Sequence, residues 1–374
     1  MHFLKKPLGY KGEEMAELLK NKLNHETVRE FALIIKSAHS SFQVEEFLKS
    51  VLDNGWENLE LKARGRKITM NLGEYLPKDY VTAISIIDKV VAKCDFFFCI
   101  IFPDFVEVYG QDEENWDLSM KALELYTQYS TSEWAVRPFI MNHEKKMMAQ
   151  MYKWSKHENE DVRRLASEGC RPLLPWSMVL TNFKKDPTPI LPILEQLKAD
   201  PSLYVRKSVA NNLNDISKTH PDLVVKIAKD WYGENEHTNW IVKHGCRTLL
   251  KKGNRDVLSV FGFNDVDIDV QDFALDKPSV SIGDDITFSF SISAKEATKV
   301  RLEYGMDYVK ANGKRNRKIF QISEIPLKEN QKKLYTKKHS FAEVSTRKHY
   351  PGTHTITLIV NGVERGGLDF ELTL

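Results

Sequence analysis

Cysteine is scarce in this sequence: four among 374 residues, at Cys94, Cys99, Cys170 and Cys246. No pair has the Cys-x2-Cys spacing of a zinc site, and none follows Cys246, so neither a structural zinc nor a disulfide framework is expected. The four are expected to be free, buried thiols. Charge of one sign is lacking too. Lys and Arg number 54 against 52 Asp and Glu, a formal net charge of +2. The whole chain is therefore not drawn to nucleic acid by bulk charge, and local clusters must carry any such attraction. Long apolar runs are missing as well: the longest, 96–102, falls far short of the roughly 20 residues that span a bilayer. The amino-terminal MHFLKKPLGYKGEE has no apolar core of a secretory signal. A cytoplasmic chain with no membrane association is expected. Gly-x4-Gly-Lys-Ser/Thr, Gly-x-Gly-x2-Gly, His-Glu-x2-His and Gly-x-Ser-x-Gly are all absent, and the 11 histidines are scattered. Nucleotide-driven and metal-dependent chemistry lose their usual signatures, so no cofactor and no metal is expected.

What is present is helix, in quantity. Apolar residues recur with a helical period through 13–23, 27–39, 43–52, 59–76, 78–93, 96–109, 115–129, 145–156, 161–174, 187–198, 202–218, 221–231, 237–251 and 255–261. In TSEWAVRPFI, Thr131 or Ser132 is the expected N-cap, with Glu133 in the first turn. Three stretches repeat one another: DVRRLASEGCRPLLPW at 161–176, LYVRKSVANNLNDISK at 203–218 and, more weakly, NWIVKHGCRTLLKK at 239–252. Arg206 follows Arg163 by 43 residues. A paired-helix repeat of this size is the signature of an α-solenoid. Alignment on the shared starts puts Glu168, Asn211 and Arg247 at one repeat position.

Near Phe263 the pattern changes. Ile286, Phe288, Phe290 and Ile292 alternate as in a half-buried strand. Further β-rich runs are 299–308, 318–327 and 333–341. Then 353–360, Asn361-Gly362 and 363–374 read as a hairpin, because Asn-Gly suits a type I′ turn. About seven strands in roughly 110 residues suggest an immunoglobulin-like β-sandwich, here without the antibody disulfide. The acidic, strand-like 264–274 is the expected junction. Residues 1–262 are expected to form a HEAT-like helical domain and 268–374 the all-β domain.

The chemistry-bearing residues of the helical part are carboxylates and aromatics: Glu133 beside Trp134, Glu168 near Trp176, Asp215, and Trp240. Any one carboxylate of a helix-rich chain belongs by default on a solvated face. Glu168 stands apart, between Ser167 and Gly169, where small residues permit close approach of another chain. Arg137, Arg163, Arg164, Arg171, Arg206, Lys207, Lys243 and Arg247 frame these positions. Two readings stay open for them: ties between neighbouring repeats through acidic partners, or phosphate ligands helped by helix N-termini. In the β region, Lys310, Lys314, Arg315, Arg317 and Lys318 form a run with no acidic residue, and 328–348 is basic as well. Two such clusters in a domain with one acidic end suggest a polarised surface.

On TSEWAVRPFI, VRRLASEGCRPLLPW and DPSLYVRKSVANNLNDISKTHPD, the sequence resembles the HEAT-repeat DNA alkylation-repair glycosylases, closest to the AlkC branch. Ser-Glu-Gly-x-Arg-Pro-x-Leu-Pro-Trp is the distinctive string. The likeness covers about residues 1–262, and some AlkC-type proteins carry an immunoglobulin-like domain after it. The resemblance implies a monofunctional DNA glycosylase that excises cationic bases such as 3-methyladenine, and 3-methylcytosine for AlkC-type members. It implies double-stranded DNA carrying alkylated bases as partner, and a monomer. By motif it implies Glu133, Glu168, Asp215 and Trp176 as active-site residues. Arg163, Arg164, Arg171, Arg206, Lys207, Asn211, Trp240, Lys243 and Arg247, with Lys314, Arg315 and Arg317 of the β domain, are the candidate DNA contacts. The rival reading is a non-catalytic HEAT module that binds damaged DNA or another protein.

Overall fold

The computed structural model describes residues 19–264, 267–343 and 348–374. They form two compact units. One holds the chain up to His220 together with Gly233–Gly245; the other holds Pro221–Tyr232 together with Cys246–Leu374. The expected helix 13–23 lies largely outside the described residues, as does Arg347 of the second basic run. No described helix is long and apolar enough to cross a membrane. Among the described residues, no group of three His, Cys, Asp or Glu side chains could hold a metal ion.

The first unit is helical. Its helices form because apolar residues return every three or four positions. Glu160–Glu168 is representative: Asn159 accepts from the amides of Asp161 and Val162, and Val162, Leu165 and Ala166 are buried. Glu160–Glu168 packs on Leu203–Ile216, which packs on Glu236–Gly245, so the three repeated stretches lie side by side. Ser167 and Ser208 hydroxyls meet at 2.6 Å between the first two, and Asn212 Nδ2 donates to Ser167 O at 2.8 Å. A Cβ on Gly169 would lie 2.6 Å from Val136 Cγ2. The small neighbours of Glu168 therefore serve packing within this chain, which corrects the expectation of room for another one.

Local details depart from the sequence expectations for identifiable reasons. The helix expected at 131–132 begins only at Val136, without a side-chain cap. Thr131 Oγ1 donates to Glu133 Oε2 and Ser132 Oγ to Leu123 O, so neither hydroxyl caps that helix. The helix expected over 161–174 stops at Glu168, ahead of Pro172 and Pro175, which have no amide to continue it. The run 96–109 breaks into Phe96–Cys99 and Ile101–Tyr109. Pro103 sits in the first turn of the latter, where its missing N–H removes no helical bond. The run 237–251 breaks at Cys246, so Arg247 opens a new short helix and loses its equivalence with Glu168 and Asn211.

The second unit carries eight strands: β1 Ile268–Leu275, β2 Ser279–Ser281, β3 Asp285–Ala294, β4 Thr298–Val309, β5 Arg315–Leu327, β6 Lys333–Ser340, β7 Gly352–Val360 and β8 Val363–Thr373. One sheet runs β1-β3-β6 and the other β2-β8-β7-β4-β5. Both bury one face in a common core that includes Ile286, Phe288, Phe290 and Ile292, the alternation read from sequence. Asn361 and Gly362 have φ of 48° and 77°, as the β7–β8 hairpin turn requires. β1 occupies most of the expected junction, and β2, which pairs parallel with β8, has no counterpart among the expected strands. The helices Pro221–Trp231 and Arg255–Val260 pack in this unit, with Lys229 Nζ 2.8 Å from Asp256 Oδ1. Asn361 Nδ2 donates to Asn264 O at 2.9 Å, tying the hairpin turn to the chain that enters the sandwich.

Candidate active site

Three carboxylates from distant parts of the sequence enter one ion-pair chain. Glu133 comes from the turn ahead of Val136–Asn142, Glu168 ends Glu160–Glu168, and Asp215 lies one residue before the end of Leu203–Ile216. Arg164 Nη1 stands 2.7 Å from Glu133 Oε2, and its Nη2 3.7 Å from Glu168 Oε1. Arg171 Nη1 stands 2.6 Å from the same Glu168 oxygen, and its Nε 2.9 Å from Asp215 Oδ2. Lys218 Nζ closes the chain, 2.9 Å from Asp215 Oδ1. Local spacing explains three of the five contacts: Arg164–Glu168, Glu168–Arg171 and Asp215–Lys218 each lie three or four residues apart. The other two need the packed repeats, since Arg164 reaches Glu133 and Arg171 reaches Asp215.

Glu168 and Asp215 are only 6 % and 2 % exposed. Burial alone raises a carboxyl's pKa, yet for Glu168 the Arg164 and Arg171 guanidiniums outweigh it and hold the group below its ordinary range. Burial likewise opposes charge on Arg164 and Arg171, and their carboxylate partners raise both above the ordinary value. Glu168 is thus a buried group kept ionised. Burial pushes the neighbouring Cys170 thiol up to about 12, so it is not a nucleophile at neutral pH.

Trp176 is 61 % exposed and has φ of +60°, the left-handed region that a bulky residue rarely adopts. The surrounding backbone holds it there. Fully buried Arg137 donates to Gly169 O and Arg171 O at 2.9 Å and, through Nε at 3.0 Å, to Met178 O. Lys62 Nζ donates to Trp176 O at 2.7 Å. Burial pushes Arg137 down to about 10, still well above neutrality. Backbone strain at an exposed aromatic, fixed from both flanks, is the kind found at functional sites.

The basic candidates divide. Arg163 is bound to Asp200 at 2.6 Å and to the carbonyls of His157 and Glu158. Arg206 donates to Asp200 O and Pro201 O. Arg164 and Arg171 are committed to the carboxylates. All four guanidiniums are thus engaged within the chain: Arg163, Arg164 and Arg171 link separate helices through carboxylates, and Arg206 holds the loop ahead of its own helix. Arg317 grips Asp307 with two nitrogens and reaches Glu364, so it too is framework. Lys207, Lys243, Lys314 and Arg315 are exposed, Arg315 donating to Thr355 Oγ1. Asn211 and Arg247 are half-buried, and half-buried Trp240 stacks on His244 with centroids 4.9 Å apart. Sequence reasoning missed Lys218 and Lys62; the first has a signal, one helical turn from Asp215, and the second has none.

Residues 106–255 match the family described as DNA alkylation repair enzyme, and 269–374 the C-terminal Ig-like domain of the uncharacterised protein YhaZ. Over 355 residues the chain is 48 % identical to the uncharacterised protein YhaZ of Bacillus subtilis (strain 168), covering 95 % of this chain and 99 % of that protein. The solved structure of Pseudomonas fluorescens alkylpurine DNA glycosylase AlkC, bound to DNA containing an abasic site analog, matches with a TM-score of 0.91 at 34 % identity. That match covers 95 % of this chain and 99 % of the other. The chain belongs to the AlkC-type DNA alkylation-repair family. Its two-part organisation, helical then Ig-like, is that of the AlkC type. The string SEGCRPLLPW holds Glu168, Arg171 and Trp176 of the site just described.

Proposed function

We propose that this chain is a monofunctional DNA glycosylase that hydrolyses the N-glycosidic bond of cationic alkylated bases, 3-methyladenine and also 3-methylcytosine. The observation that carries the reading is the ion-pair chain: three carboxylates from three elements, one of them held ionised while buried, with an exposed and backbone-strained tryptophan in the loop that follows Arg171. A base alkylated on a ring nitrogen already carries positive charge. It leaves neutral, taking the bonding pair, and needs no general acid. Positive charge then grows on the sugar, where preorganised carboxylates lower its energy. Water adds its oxygen to the sugar carbon and gives its proton to a carboxylate of the trio. Trp176 stacks on the lesion or its sugar. Lys218 is paired with Asp215 and Lys62 is bound to Trp176 O, so neither is assigned the part of a Schiff-base nucleophile, and strand cleavage is not part of the proposal.

The partner in this reading is double-stranded DNA containing alkylated bases. Lys207, Lys243, Lys314 and Arg315 meet its phosphates, with Asn211, Trp240 and Arg247 as further contacts. The protein acts as a cytoplasmic monomer. Incubation with methylated DNA and chromatography of the freed bases tests the activity. Native protein is expected to release 3-methyladenine, and Glu168→Gln to slow release by about 100-fold or more. No release by the native chain would leave a non-catalytic damage-binding module; undiminished release by the variant would remove Glu168 from the site.

A further inference from the structure

The charges of the ion-pair chain cancel. Glu133, Glu168 and Asp215 bring three negative charges, and Arg164, Arg171 and Lys218 bring three positive ones. Arg137, buried and within the fields of Asp215 and Glu133, adds a fourth positive charge. Carboxylates compensated in this way exert little net pull on a further cation. A site that is to gather positive charge must first give up a positive charge of its own.

Burial and the number of bonds decide which cation can leave. Arg164 reaches both Glu133 and Glu168, and its guanidinium carbon lies 4.7 Å from the Tyr204 ring centroid. Arg171 reaches both Glu168 and Asp215. The two side chains are 16 % and 9 % exposed, and the departure of either would strand buried carboxylates. Lys218 differs on each count. Its side chain is 41 % exposed, and among the described residues it is held by one oxygen, Asp215 Oδ1. It stands in the turn just past Leu203–Ile216, its own N–H bonded to Asp215 O at 3.2 Å. The ammonium can therefore swing into solvent on its four-carbon stem while the backbone stays in place. Asp215 then keeps Arg171 on Oδ2 and bares Oδ1 alone.

We propose that Lys218 is the exchangeable counter-ion of this site. It covers Asp215 while the site is empty and withdraws when a bound strand brings positive charge to the sugar. Lys218 is thus a positioning residue that acts through Asp215, and it limits the preference for a cationic over a neutral ligand. The source of the cation rests on the glycosylase reading, but the exchange itself breaks no covalent bond. Anisotropy titrations of the full chain with two duplexes test it. One carries a neutral tetrahydrofuran abasic analogue, the other a pyrrolidine analogue whose ring nitrogen is protonated at neutral pH. Native protein is expected to bind the cationic duplex more tightly. Lys218→Met removes the competing ammonium and is expected to raise that preference about tenfold. Lys218→Arg, with a fork that grips the carboxylate better, should return the preference to the native value or below it. A purely structural lysine would move both affinities together and leave their ratio unchanged. Lys218→Gln carries the same expectation should Lys218→Met fail to fold. A ratio that is equal to the native one in the neutral variants, or lower, overturns the proposal. Base release from methylated DNA, measured on the same preparations, keeps the two readings apart. A raised ratio without release would keep the exchangeable lysine and sink the glycosylase; release with an unchanged ratio would do the reverse.

Discussion

Two groups of carboxylates in the helical unit have opposite electrostatics. Glu168 is the more deeply buried, yet its pKa is lowered. Asp104 and Glu107 are less buried, and burial raises both. The difference lies in the number of guanidiniums per carboxylate. Glu168 faces Arg164 and Arg171, whereas Asp104 and Glu107 share Arg66, itself about two-fifths exposed. Charge attraction in a low-dielectric interior scales with the partners present, and desolvation is charged to each group whether or not it has one. Glu168 is therefore held ionised among its guanidiniums, whereas burial lifts Asp104 and Glu107 above the ordinary carboxyl values.

Arg171→Gln is the strongest way to break that contrast. It strips Glu168 and Asp215 of a shared partner while both stay buried, and the loss of one member of a buried pair costs about 3–5 kcal/mol. Urea unfolding should show a midpoint lowered accordingly, and base release should be lost with it. A native midpoint would mean that Arg164 and Lys218 suffice.

The pH dependence of stability sharpens the comparison with a smaller effect. Glu168 has a folded pKa below its ordinary 4.5, so its contribution is present above that value and lost only as pH falls through the depressed one. Asp104 and Glu107 have folded values above 3.8 and 4.5, so the stability they confer is present below those values and lost as pH rises through the raised ones. Unfolding followed from about pH 3.5 to about pH 7 should show the acid-side loss moving upward in Arg171→Gln. In Glu107→Gln the loss on rising pH should shrink. Curves that parallel the native one would refute both assignments.

The smallest expected effect is Glu107→Gln at neutral pH. It removes one of two charges that burial disfavours and keeps an acceptor for Arg66. Stability should stay the same or rise, within about 1 kcal/mol given the exposure of Arg66. A loss as large as that of Arg171→Gln, read in the same urea series, would erase the distinction between the two clusters.

Much of the site was legible along the chain. Glu133, Glu168 and Trp176 stand in strings that depart from the repeat, and Asp215 in the next repeat. The arginines were legible only as a choice between repeat ties and phosphate ligands. Arg163 resolves as a tie because Asp200 faces it from the next helix pair, whereas Arg206 is held by the carbonyls of Asp200 and Pro201 in the loop ahead of its own helix. Lys62 stayed invisible because its contact with Trp176 spans 114 residues and follows no period.

Helix spans, the buried face of β3, the Asn361-Gly362 turn and the family string were determined by the sequence itself, since each rests on steric or periodic rules acting over a few residues. The tertiary structure alone decided which carboxylate stays ionised, which arginine is consumed, and which cation of the site reaches solvent. Those outcomes depend on distances of a few ångströms between residues far apart in the chain, and Coulomb attraction, desolvation and packing respond to that separation.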